Sequence, residues 1–124
     1  MAKGPVLVVD DNPVNLKLVS LTLRVDGFDV ITAADADEAR AAIRKTAPRV
    51  ILMDIQLPGT DGLALTRELK ASSATREIPV VALTAYAMKG DEEMAIAAGC
   101  DGYIAKPIDT KTLSGIVDRY LTRA

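Results

Sequence analysis

The chain of 124 residues contains no histidine, one cysteine and no long apolar run. Without histidine it cannot build a Ser-His-Asp or Cys-His nucleophilic centre, hold zinc through imidazole, or use imidazole as a general base. Whatever chemistry it carries must run on carboxylates, lysine, hydroxyls and backbone groups. If phosphoryl groups pass through a histidine, that histidine belongs to another protein. Cys100 stands alone, so no intrachain disulfide forms and a reducing cytoplasm is the expected location. Its place near a turn reads as a small structural residue rather than a reactive thiol. No stretch approaches the roughly 20 apolar residues of a membrane span, and residues Met1 to Pro5 lead straight into a strand, which predicts no signal peptide. A basic excess is missing too. The net charge of −2 and pI near 5.1 argue against a nucleic-acid partner.

What is present suffices for one packed domain. Hydrophobic residues make up 49% of the chain, at a length that supports a real core. Residues 1–124 are therefore expected to form a single domain with no effector domain.

Apolar and amphipathic segments alternate along the chain. Val6 to Val9 reads as a buried strand. Asn12 can cap the helix that follows, Pro13 fits its first turn, and Gly27 closes it after about Val25. Phe28, Val30 and Thr32 alternate with polar or exposed positions, as in an edge strand. Asp35 opens an alanine-rich helix that ends before Pro48. Val50 to Met53 is a third strand, and the turn cluster from Pro58 to Gly62 precedes a helix carrying Leu63, Leu65 and Leu69. Pro79 introduces a fourth strand, Val80 to Leu83. A weaker helix spans about Lys89 to Ala98, Gly99 ends it, and Tyr103 to Ala105 is a short fifth strand. In the last helix Leu113, Ile116, Val117, Tyr120 and Leu121 form a one-sided stripe.

Five such units require right-handed crossovers and a parallel sheet covered on both faces. The continuous runs belong in the centre and strands two and five at the edges, which a flavodoxin-like order of 2-1-3-4-5 satisfies. Strands one and three then lie side by side, about 4.8 Å apart, with their C-terminal ends at the topological switch point. That crevice receives Asp10 and Asp11 from one strand end and Asp54 from another. Three carboxylates crowded together repel one another unless a cation sits between them, so a divalent-metal site around a nucleophilic or ligating aspartate is expected. A flavin phosphate, the other occupant of such a crevice, would be repelled by Asp10-Asp11-Asn12-Pro13.

Four short motifs at strand ends now align: Val9-Asp10-Asp11-Asn12, Leu52-Met53-Asp54-Ile55-Gln56-Leu57-Pro58, Leu83-Thr84-Ala85 and Lys106-Pro107. With these the whole chain resembles a receiver domain of two-component response regulators. The segments Tyr86 to Glu93 and Ala98-Gly99-Cys100 look most like single-domain cell-cycle regulators and receivers of hybrid kinases. The resemblance implies an α/β, CheY-like three-layer sandwich with five helices. It implies that Asp54 is the phosphoacceptor, attacking a phosphohistidine of a histidine kinase or a histidine phosphotransfer protein. Asp10, Asp11, an Asp54 oxygen and the Gln56 backbone carbonyl would hold Mg²⁺, with Mn²⁺ as a possible substitute. Thr84, the Ala85 amide and Lys106 would meet the phosphoryl oxygens, and Lys106-Pro107 would be a cis peptide. Thr84 and Tyr103 would form the switch, changing the surface of helix four, strand five and helix five for a downstream protein target. No enzyme activity on other substrates, no membrane insertion and a monomer are expected.

Each residue also has a plain reading. Asp10-Asp11 can be a helix cap, Thr84 a β-former, Lys106 a solvated lysine, Tyr103 an edge aromatic and Tyr86 a loop cover. A phosphorylation-independent interaction module on the same fold is the alternative function, and a small metal-dependent phosphatase or mutase a third. The first helix carries two apolar stripes: Val14, Leu18, Leu21 and Val25 on one, Leu16, Val19 and Leu23 nearly opposite. One sheet cannot bury both. Leu16 and Leu23 are expected to form an exposed docking patch for the phosphodonor, the plain reading being contact with a neighbouring helix.

Overall fold

A computed structural model of the chain describes residues 3–55, 62–84, 89–105 and 108–121. Strands and helices alternate in the order β1 (Lys3–Val9), α1 (Pro13–Val25), β2 (Phe28–Ala33), α2 (Ala36–Thr46), β3 (Val50–Asp54), α3 (Gly62–Ala71), β4 (Val80–Thr84), α4 (Lys89–Ala98), β5 (Gly102–Ala105) and α5 (Thr110–Leu121). The strands form one sheet of order β2-β1-β3-β4-β5, and every neighbouring pair is parallel. This is the expected flavodoxin-like, CheY-like α/β sandwich, with β2 and β5 at the edges. Among the described residues, no helix is long and apolar enough to cross a membrane.

The continuous apolar runs of β1, β3 and β4 exist because both faces of those strands are covered. Successive side chains alternate between two layers. Leu7, Val9, Ile51, Met53, Val80 and Ala82 pack with α2, α3 and α4, through Ile43, Leu65, Leu69 and Ala95. Val6, Val8, Val50, Leu52, Val81 and Leu83 pack with α1 and α5, through Val19, Leu23, Leu113 and Val117. β2 has one solvent-facing edge, and its Asp29 and Thr32 are exposed while Phe28, Val30 and Ala33 are buried.

The caps follow the sequence. The Asn12 side chain accepts from the Val14 and Asn15 amides, and Asp35 accepts from the Glu38 amide. α2 ends on Ala47, in the left-handed region at φ 47°, just before Pro48.

α1 corrects one expectation. Leu23 is fully buried, and Leu16 is partly buried against the same layer, so neither forms an exposed docking patch. Their stripe, with Val19, packs onto the sheet and onto Leu113, Val117 and Leu121 of α5. Ser20 lies within it and satisfies its hydroxyl by donating to the Leu16 carbonyl at 2.6 Å. The opposite stripe is the exposed one: Val14 is 73% exposed, Leu18 43%, Leu21 49% and Val25 84%.

Candidate metal centre

Register builds the site. Val9 pairs with Met53, so the next positions on these two strands are Asp10 and Asp54. Asp54 pairs with Leu83 on the other side, which puts Thr84 one step beyond it at the end of β4. Asp10, Asp54 and Thr84 are all buried, while Asp11 stands exposed at the rim.

Hydrogen bonds fix both strand ends. The Asp10 amide donates to the Ala33 carbonyl at 3.1 Å, tying it to β2. The Asn12 amide donates to Asp10 Oδ1 at 2.9 Å, while the Asn12 side chain caps α1. Asn12 thus joins the helix start to the orientation of the Asp10 carboxylate, a role beyond the cap read from the sequence. After Asp54, the Ile55 amide donates to the Leu83 carbonyl at 3.2 Å.

The three carboxylates converge. One oxygen from each of Asp10, Asp11 and Asp54 lies within 4.8 Å of the others. Two unit charges at that separation repel by roughly 3 kcal/mol at an effective dielectric near 20. A divalent cation among them converts that repulsion into attraction. The donor set is all carboxylate oxygen, which suits a hard cation such as Mg²⁺ and not a thiophilic metal. The residues present fit the ion expected from the sequence.

Of the other residues singled out in the sequence, Thr84 is at the same strand edge, paired with Ala105 of β5. Tyr103 pairs with Ala82 of β4 and is 41% exposed. Gln56, Ala85, Tyr86, Lys106 and the Lys106-Pro107 bond lie outside the described residues. Cys100 is buried, as a small structural residue would be, and its Sγ lies 3.9 Å from Thr66 Oγ1. Burial pushes its thiol above the ordinary value, and the Thr66 hydroxyl partly opposes this.

Sequence reasoning passed over Gly62 as one of several turn residues. Its position leaves no room for a side chain beside the Asp54–Ile55 backbone. A Cβ there would fall 2.1 Å from the Asp54 carbonyl oxygen and 2.8 Å from Ile55 Cα. Its amide donates to the Ile55 carbonyl at 3.0 Å.

Comparison with known proteins gives a consistent picture. The pattern of the response regulator receiver domain matches residues 6–118. The polar-differentiation response regulator DivK of Brucella anthropi is 42% identical over 116 residues, which is 94% of either chain. A putative response regulator from Chloroflexus aurantiacus superposes with a TM-score of 0.92 at 32% identity, over 96% of this chain and 98% of the other. The receiver domain of sensor histidine kinase PA1611 from Pseudomonas aeruginosa, whose structure has a magnesium ion coordinated in the active site cleft, is 38% identical. It covers 97% of this chain and 98% of its own, with a TM-score of 0.88.

Proposed function

The chain belongs to the response regulator receiver domain family, and from that membership and the acidic cleft we propose that it is a phosphorelay receiver with Asp54 as phosphoacceptor. The observation that carries the proposal is the convergence of the Asp10, Asp11 and Asp54 carboxylates at the C-terminal ends of β1 and β3.

Asp10, Asp11 and Asp54 would hold Mg²⁺. When bound, the ion neutralises charge as an anionic nucleophile and phosphoryl oxygens approach one another. An Asp54 oxygen attacks the phosphorus of a phosphohistidine. The P–N bond breaks, its electron pair leaves with the imidazole nitrogen, and Asp54 becomes an acyl phosphate. The Asn12 amide keeps the Asp10 carboxylate in place during the exchange. Thr84 donates its hydroxyl to the phosphoryl group from the end of β4. Ala85 and Lys106 take their phosphate-binding roles, and Gln56 its role as carbonyl ligand, from the sequence pattern alone.

The phosphodonor docks on α1. Val14, Leu18, Leu21 and Val25 are exposed and spaced by four, three and four residues, the seam spacing of helices that pack side by side. α1 begins two residues beyond Asp11, so a helix lying along this seam reaches the acidic cleft. Output runs through α4, β5 and α5. Thr84 moves toward the new phosphate, Tyr103 turns inward behind it, and the altered face meets a protein target. A coupling of about 1–3 kcal/mol is ordinary for such a switch.

Incubation with Mg²⁺ and acetyl phosphate, followed by intact mass measurement, tests the reading. One phosphoryl group should add to the native chain and none to Asp54→Asn. A native chain that takes up no phosphoryl group overturns it.

A further inference from the structure

We propose that Gly62 is a positioning residue for Asp54: the missing side chain at the start of α3 sets how far the end of β3 carries the Asp54 carboxylate into the acidic cleft. The inference rests on the metal-binding and phosphoacceptor reading given above.

The constraint is steric. No left-handed φ marks Gly62, so glycine is not needed there for its backbone freedom. It is needed because no Cβ fits. A Cβ at this position would lie 2.1 Å from the Asp54 oxygen, 2.8 Å from Ile55 Cα and 2.9 Å from the Asp54 carbonyl carbon. All three atoms are backbone, so no side chain can swing aside. Contacts below 3.0 Å are essentially never seen for a Cβ, so the two segments must separate by about 0.9 Å or more.

The surroundings decide which segment yields. α3 is held from behind by its buried face: Thr66 is fully buried and lies 3.9 Å from the Sγ of buried Cys100, while its hydroxyl bonds within the helix to the Gly62 carbonyl at 2.8 Å. Leu63, Leu65 and Leu69 fix the same helix in the core. The peptide joining Asp54 to Ile55 lies beyond the last β3 to β4 pair, Asp54 with Leu83; its amide donates to the Leu83 carbonyl at 3.2 Å, a hydrogen bond that lengthens more readily than buried leucines leave the core. The displacement therefore falls mainly on the end of β3. That end carries the Asp54 carboxylate, whose distances to Asp10 and Asp11 define the cleft. Glycines at two other helical positions provide the contrast. At Gly90 in α4 and Gly115 in α5, nothing lies within 4 Å of where a Cβ would stand.

The test is Mg²⁺ affinity by calorimetry and labelling rate with acetyl phosphate, in Gly62→Ala, Gly90→Ala and Gly115→Ala, with circular dichroism to establish folding. A shift near 1 Å at a reacting group costs about a hundredfold in rate. Folded Gly62→Ala should bind Mg²⁺ at least about tenfold more weakly and label about a hundredfold more slowly, with Gly90→Ala and Gly115→Ala unchanged. Native affinity in folded Gly62→Ala overturns the proposal. If Gly62→Ala does not fold, Leu63→Ala decides: it keeps Gly62 but loosens the first turn of α3 from the core, and reduced Mg²⁺ affinity in a folded protein supports positioning, whereas native affinity overturns it. Failure of the native chain to bind Mg²⁺ or take up phosphate would instead strike the phosphoacceptor reading, so the two failures are distinct.

Discussion

Truncating the two sides of α1 should have opposite consequences. Leu23 is fully buried between the sheet and α5, whereas Leu21 is 49% exposed. Leu23→Ala removes a buried side chain and leaves a cavity bounded by Val19, Leu113 and Val117, which costs about 3–5 kcal/mol. For a domain of this length that is a fall in melting temperature of about 10 °C or more. Leu21→Ala loses part of a transfer term and opens no cavity, so its cost stays below about 1 kcal/mol. Urea unfolding of the two variants gives the comparison directly. The paired charge variant Leu18→Glu with Leu21→Glu should stay folded, label normally with acetyl phosphate, and receive phosphate slowly from a phosphorylated kinase. Leu16→Glu should destabilise instead, because it puts a carboxylate against the α1–α5 layer. Equal destabilisation by Leu21→Ala and Leu23→Ala would refute this orientation of α1.

Mg²⁺ at a hundred times its dissociation constant should stabilise the native chain by about 2.7 kcal/mol, read as a thermal shift; the same concentration should leave Asp11→Ala unmoved, and an equal shift would remove the ion from the acidic cleft. The hydrogen bond from Arg40 holds the Glu68 carboxyl below its ordinary value. A lowered carboxylate stabilises fully above its unfolded value and loses that contribution as pH falls through its lower, folded-state value. Both partners stand partly in solvent, so the urea stability of Glu68→Gln should trail the native chain by about 0.5 kcal/mol at pH 7, and the gap should close as acid protonates the carboxyl; a gap that widens in acid contradicts the pairing. Burial raises the Cys100 thiol, so its contribution is complete below the ordinary value of 9.0 and is lost as pH rises beyond it. Thiol reagents at pH 8 should label Cys100 only as fast as the core opens, and rapid labelling of the folded chain would contradict its burial.

The fold was legible because its strongest signals come from burial on two faces. β1, β3 and β4 are unbroken apolar runs, and only a central parallel strand needs both of its faces apolar. Asp29 between Phe28 and Val30 marks β2 as an edge in the same way. The acidic cleft was legible because Asp10 and Asp54 each follow directly on such a run, so topology alone brings them to adjacent strand ends, with Asp11 beside Asp10. α1 resisted this reasoning. Both of its stripes are apolar, helical periodicity ranks neither, and the buried stripe even contains Ser20. Only packing against α5 chooses between them, and that contact joins residues nearly a hundred positions apart in the chain. Gly62 resisted for a related reason. The cluster from Pro58 to Gly62 holds two glycines, and nothing local says which of them rests on the peptide after Asp54.

The same accounting of burial bears on which element moves in a switch. α5 places Leu113, Val117 and Leu121 in its layer. Full burial of such side chains stabilises by roughly 1.5–3 kcal/mol each. α4 contributes Ala95 and Ala98 to its own layer, while Met94 and Ile96 are 54% and 59% exposed. An alanine methyl yields less than about 1 kcal/mol, so among the described residues α4 is the more weakly fastened helix by several kcal/mol. It also follows β4, whose last residue is Thr84. A small displacement at Thr84 therefore meets little resistance from α4, whereas moving α1 or the central strands would open the leucine and valine layers. Amide hydrogen exchange measures this hierarchy. Amides in the centre of α4 should exchange through local opening, ten- to a hundredfold or more faster than those of α5 around Val117. Phosphorylation should alter protection at α4 and β5 and leave β1 and β3 unchanged. If α4 proves as slow to exchange as α5, its shallow anchoring does not make it the mobile part of the domain, and output must be sought on another face.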